Sequence, residues 1–143
     1  DGLVSVWAAR SLSALLGVLC IPTIFYFCRL AFRSLIVSQL AAAVMAISPF
    51  GIFLAAQARH YTLVILIIIA SLACYVCAIR AINQQKVISA KLVGIWIVIN
   101  CLGIATHYFF VLSLMAMAIA FTQLMWQQWR QDHQPIRQGR KLL

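Results

Sequence analysis

Apolar residues in this chain come in runs of helical length, without the strict alternation that marks a half-buried strand. The first run is Ser11–Cys28, SLSALLGVLCIPTIFYFC, with Pro22 inside it. A proline there removes a backbone N–H, so the pattern predicts a kink or a freed carbonyl. The connector RLAFRS carries Arg29 and Arg33 and leads to the second run, Leu35–Ile47, which Ser48-Pro49 ends. Ser38, Ala42 and Ala46 recur every four residues along it, a stripe of small residues that lets a neighbouring helix approach closely. The segment GIFLAA after Pro49 is too short to span a bilayer and reads as an interfacial piece. The third run, Tyr61–Ile79, is rich in β-branched residues, yet its length and lack of breakers favour a helix. After the polar connector RAINQQKVISAK come the fourth run, Leu92–Ala105, and, beyond the turn Thr106–Tyr108, the fifth, Phe109–Trp126.

The charges fall between these runs with a consistent sidedness. If successive runs alternate direction, Arg29 and Arg33, then Arg80, Lys86 and Lys91, then Arg130, Arg137, Arg140 and Lys141 all lie on one side. Only Arg10 and Arg59 lie on the other. The positive-inside rule makes the crowded side cytoplasmic. The N-terminus, the Ser48–Tyr61 segment and the Thr106–Tyr108 turn are then extracytoplasmic, and Trp126 and Trp129 fit the cytoplasmic interface belt.

Composition agrees. The chain is 65% hydrophobic and 9% charged, where a soluble domain is about half apolar and about a quarter charged. We therefore expect an all-α fold, a polytopic transmembrane bundle of about five membrane helices plus one short interfacial segment. Residues 1–129 read as part of that membrane domain and residues 130–143 as a basic cytoplasmic connector or tail. The net charge of +9 does not call for nucleic acid, because the cations sit where topology signals sit. The chain opens DGLVSVWAAR without Met, so a piece of a longer protein is expected.

Polar side chains in such a chain are few. Arg59 goes against the charge pattern and is followed by His60 and Tyr61. Its planar fork of donors suits a phosphate or diphosphate, although an interfacial Arg can also simply snorkel to headgroups. His107 and Tyr108 belong to the same face and are expected to meet Arg59 across the bundle, unless they are only belt aromatics. His60 is expected to point elsewhere on its helix. Cys20, Cys28, Cys74, Cys77 and Cys101 read as small hydrophobes. Cys74 and Cys77 form a CxxC, but no second pair and no nearby carboxylate complete a metal site. Asn100 reads as an interhelical hydrogen bond. The only carboxylate side chains are Asp1 and Asp132, too few for paired acid–base catalysis or a metal cluster.

Three segments, in order, resemble a known family. ARSLSALLGVL resembles the stretch in which an Arg precedes a Ser and a Gly at the start of a membrane helix. SPFGIFLAAQARHYTL resembles a segment of Ser-Pro, a short amphipathic piece, then an acidic residue, Ala, Arg, any residue and Tyr. GIATHYFFVL resembles a later turn with Thr-His-Tyr-Phe. All three are features of GT-C type membrane glycosyltransferases. These include the dolichyl-phosphate-mannose protein mannosyltransferases and the bacterial lipid A sugar transferases. The resemblance covers roughly Ala9–Met125. It implies a polyprenyl-phosphate sugar as donor and a lipid, glycan or protein acceptor at the extracytoplasmic face of the bacterial inner membrane. It implies a donor phosphate and sugar site at Arg59, Gln57, Tyr61, His107 and Tyr108. Cations there would stabilise the anionic leaving group. Gln57 stands where the family carries Glu, and Gln cannot act as a base. The family's catalytic carboxylate belongs to an extracytoplasmic loop expected upstream of Asp1. No catalytic residue, metal or bound cofactor is therefore expected in these residues, and the chain alone is expected to be inactive. Two alternatives stay open: a transporter or flippase module for a lipid-linked anion, and a non-catalytic membrane scaffold.

Overall fold

The computed structural model describes residues 2–56 and 60–132. Those residues are all-helical, in the order α1 (Gly2–Phe32), α2 (Leu35–Ile47), α3 (Pro49–Ala56), α4 (Tyr61–Asn83), α5 (Ala90–Thr106) and α6 (Phe110–Asp132). The chain divides into two compact units, Asp1–Phe110 and Val111–Leu143.

Helix ends follow local chemistry. α1 extends well beyond the expected Ser11–Cys28, because residues 2–10 contain no breaker after Gly2. It runs through Pro22, whose ring nitrogen cannot bond the carbonyl of Val18; the next hydroxyl, Thr23 Oγ1, donates to Leu19 O at 2.6 Å. At its C-terminus Arg33 takes a left-handed conformation, φ 54°, and its N–H bonds Arg29 O at 3.1 Å. Ser34 then caps α2, its side chain accepting from Val37 N at 3.4 Å. Ser48 ends α2 and starts α3, with its Oγ accepting from Gly51 N at 3.2 Å and Pro49 at the first helical position. The segment after Pro49, expected to be interfacial, is thus a helix of its own.

In the first unit α1 packs against α2, α3 and α4, and α5 packs against α4. Two contacts fix the direction of the central pair. Ser13, over a third of the way along α1, and Thr62, at the start of α4, join hydroxyls at 3.3 Å. Arg80 Nη2 donates to Ala31 O at 3.3 Å near their ends. α1 and α4 are therefore parallel, and the connectors after them lie at one end of the pair. Ser38, from the small-residue stripe of α2, is fully buried.

Among the described residues, three helical segments are long and apolar enough to cross a membrane: Arg10–Phe32, Tyr61–Asn83 and Phe110–Arg130. At about 1.5 Å per residue each exceeds the ~30 Å hydrocarbon core. α2 and α5, with 13 and 17 residues, do not. So five apolar runs give five helices, but only three of spanning length. Ser48-Pro49 stops α2 early, and the turn at His107 stops α5.

Buried polar groups are mostly paired. Ser71 Oγ accepts from Trp96 Nε1 at 3.0 Å and donates to Asn100 Oδ1 at 2.7 Å. Asn100 thus makes the interhelical bond its position suggested. In the second unit α6 runs past Trp126, the expected end of the fifth run, to Asp132. Near its C-terminus Trp126 and Trp129 lie 5.7 Å apart by ring centroid, with the Arg130 guanidinium 5.2 Å over Trp126.

Candidate functional site

The polar rings of the first unit gather where α4 begins and α5 ends. His60 precedes α4 as its N-cap residue with φ −74° and ψ 5°, and its side chain makes no cap bond. That frees the imidazole to turn sideways. Its ring centroid is 5.3 Å from Tyr61 and 5.2 Å from His107. His60 therefore joins the ring cluster from a position before the first helical residue, and its expected direction away from Arg59 lies outside the described residues.

His107 terminates α5 in extended conformation, φ −157° and ψ 124°. Its N–H bonds Gly103 O at 3.0 Å and its carbonyl accepts from Phe110 N at 2.9 Å. The ring stacks on Tyr108, with centroids 5.2 Å apart and planes 13° apart, and stands 5.9 Å from Tyr61. The turn is held by one close approach. The ring of Phe110, 1% exposed, lies where a Cβ on Gly103 would be, with ring atoms 2.6 Å from that point.

One bond decides what His107 can do. Its Nδ1 accepts the N–H of Phe109 at 3.2 Å. An accepting Nδ1 carries no proton, so the neutral ring holds its proton on Nε2 and donates there. That tautomer suits recognition of a phosphate or sugar oxygen. It does not suit metal ligation through Nε2, which needs that lone pair.

An apolar cavity of about 220 Å³ adjoins the rings, lined by Phe50, Leu54, Ile65 and Phe110 together with Tyr61 and His107. A second cavity of about 340 Å³ opens between α1, α2, α3 and α4, past Gly17, Met45, Gly51 and Ile65. This end of the unit thus pairs hydrogen-bonding rings with apolar space beside them. Such a form fits an amphiphile with an acceptor-rich head and an apolar tail.

The structure brings together Tyr61, His107 and Tyr108 from the expected set. Arg59 and Gln57 lie outside the described residues. His60 was weighed in the sequence but left out of the expected set, and the backbone N–H of Phe109 was missed. The signal for His60 was its place directly before a helix start, where helical spacing does not apply. No carboxylate of the described residues belongs to this unit, so the described groups can bind and stabilise charge but offer no carboxylate base. No group of three or more metal-ligating His, Cys, Asp or Glu side chains occurs among the described residues.

No family model, curated protein or solved structure matches the chain.

Proposed function

We propose that this chain is part of a multi-pass membrane glycosyltransferase of the GT-C type, which moves a sugar from a polyprenyl-phosphate donor to an acceptor at the extracytoplasmic face. The observation that carries this is the ring cluster of His60, Tyr61, His107 and Tyr108 beside an apolar cavity, built from the two segments AQARHY and THYFF. The cluster supplies hydrogen-bond donors for a phosphate or sugar, and the cavity accepts the first part of a lipid chain. Its place at the end of the α1–α4 pair opposite Arg80 agrees with an extracytoplasmic position under the positive-inside rule. Arg59 is the cation for the departing phosphate, and Gln57 a sugar hydrogen-bonding group. The general base comes from another part of a longer chain. α1, α4 and α6 cross the membrane as long helices, α2 with α3 returns the chain from the end of α1 to the start of α4, and α5 returns it from the end of α4 to the ring cluster.

In the full-length protein, Arg59→Ala and His107→Ala should each lower sugar transfer from a polyprenyl-phosphate donor by about 10²-fold, the usual cost of losing one charge-stabilising donor. Expression and helix content should be unchanged. Wild-type turnover in both variants would remove the site. Cysteine labelling near Arg59 and near Lys86 checks the sidedness independently; labelling of both from one side would overturn the topology.

A further inference from the structure

The opposite end of the α1–α4 pair carries a feature that sugar transfer does not use. A crevice of about 280 Å³ lies between the two helices, lined by Tyr26, Phe27 and Leu30 of α1 and by Ile69, Ala70 and Ala73 of α4. The two alanines leave its α4 wall low. Helical spacing carries that wall from Ala73 two turns on to Arg80. Arg80 is half-buried, and its guanidinium reaches across to Ala31 O of α1. That bond uses one of five donors.

More positive charge surrounds this point. Arg29 and Arg33 are exposed at the end of α1. Arg33 holds φ 54°, where a glycine would sit without strain, yet the chain places a cation there. The described residues of this unit include no carboxylate to neutralise these side chains. The Arg80 guanidinium is thus held at Ala31, one residue beyond the Leu30 wall of the apolar crevice, and its fork matches phosphate oxygens.

We propose that this crevice and its basic end bind an anionic phospholipid, with an acyl chain between α1 and α4 and the headgroup phosphate on Arg80 and Arg33. The site shares the membrane placement given above but does not depend on sugar transfer. The apolar walls favour a lipid over a free phosphate, which would use only the arginines. The surplus of positive charge favours an anionic headgroup over a zwitterionic one, by about fivefold per cation engaged.

Native mass spectrometry of the detergent-purified chain tests this, with phosphatidylglycerol and phosphatidylcholine at equal concentration. The wild type should retain phosphatidylglycerol at least about tenfold better. The double variant Arg33→Gln/Arg80→Gln should lose that preference, whereas Arg33→Lys/Arg80→Lys should keep most of it. Ala73→Phe should lower retention of both lipids, and millimolar inorganic phosphate should displace neither. Lys91→Gln, on α5, should leave retention unchanged. Circular dichroism of each variant separates loss of binding from loss of fold. Equal retention of the two lipids by the wild type would overturn the proposal, as would an unchanged preference in the folded double Gln variant. Displacement by inorganic phosphate would overturn the lipid and leave an anion site. If the double Gln variant fails to fold, the exposed Arg33→Gln variant carries the test, and an unchanged preference in it would overturn the contact of the headgroup with Arg33.

Discussion

Gly103→Ala is the sharpest test of how the ring cluster is held. A Cβ built at Gly103 falls 2.6, 2.6 and 2.7 Å from three atoms of the Phe110 ring. Ordinary contact needs about 3.5 Å or more, so the ring must retreat by roughly 1 Å. Phe110 is 1% exposed and walls the cavity of about 220 Å³, so a retreat shifts the ring into that space at the expense of its packing on α5. Overpacking of this kind costs about 1–3 kcal/mol. Alanine also gains up to about 1 kcal/mol in helix propensity over glycine. Gly94 separates these effects, since it lies on the same helix with nothing within 4 Å of its built Cβ. Gly94→Ala should be neutral or stabilising, and Gly103→Ala should be about 1–3 kcal/mol worse than that control. Graded SDS unfolding followed by circular dichroism measures the difference. Phe110→Leu in the Gly103→Ala background should recover part of the loss, because the shorter side chain vacates the clash. Equal behaviour of the two alanine variants would refute the close approach, and with it this account of how the His107 turn is fixed.

Two further predictions concern the helices themselves. Gln85 closes α4 with φ 53°, while Gln85 N bonds Ile82 O and Lys86 N bonds Ala81 O, each at 2.9 Å. That pattern favours glycine, so Gln85→Gly should stabilise the chain by about 1 kcal/mol; an unchanged or lower unfolding midpoint would contradict the left-handed assignment. Ser71→Ala should cost more than Asn100→Leu, by about 1 kcal/mol in the same unfolding assay. The first change leaves both Trp96 Nε1 and Asn100 Oδ1 without this partner, and the second leaves only the Ser71 hydroxyl, which can turn to a backbone carbonyl. Equal losses would show that Ser71 is not the centre of that network.

Much of the fold was legible because bilayer-length apolar runs leave few alternatives to helix. The Ser48-Pro49 break, the Thr106–Tyr108 turn and the bond at Asn100 could all be read from residue type and spacing. Helix ends were less legible. Residues 2–10 carry no period or breaker to distinguish a helix from an approach to one, and the polar stretch after Trp126 hid the last turns of α6. The candidate site was half legible. Its residues could be listed, but His60 was assigned a direction by helical spacing although it stands before the first helical residue. The role of Phe109 rests on a backbone N–H, which no side-chain pattern reports. The crevice near Arg80 depends on how two distant helices pack, and that is set by shape rather than by local sequence.

The chemistry available at the ring cluster is limited by what the described residues contain. His107, with Nδ1 occupied, offers a donor at Nε2. Tyr61 and Tyr108 add phenolic groups, and His60 adds a second imidazole. A donor placed on a departing phosphate is worth about 2.7–4 kcal/mol of barrier. A positioned general base contributes a further 10²–10⁴-fold, roughly. The first contribution fits these side chains; in the proposed transfer the second is assigned to a carboxylate, and the described part of this unit contains none. Under the proposed function, the cluster holds and polarises a donor headgroup, and the acceptor hydroxyl is activated by a carboxylate carried elsewhere. This division explains why a Gln at position 57 is compatible with the proposed role: on the binding side of the reaction, a neutral amide that hydrogen-bonds a sugar is sufficient.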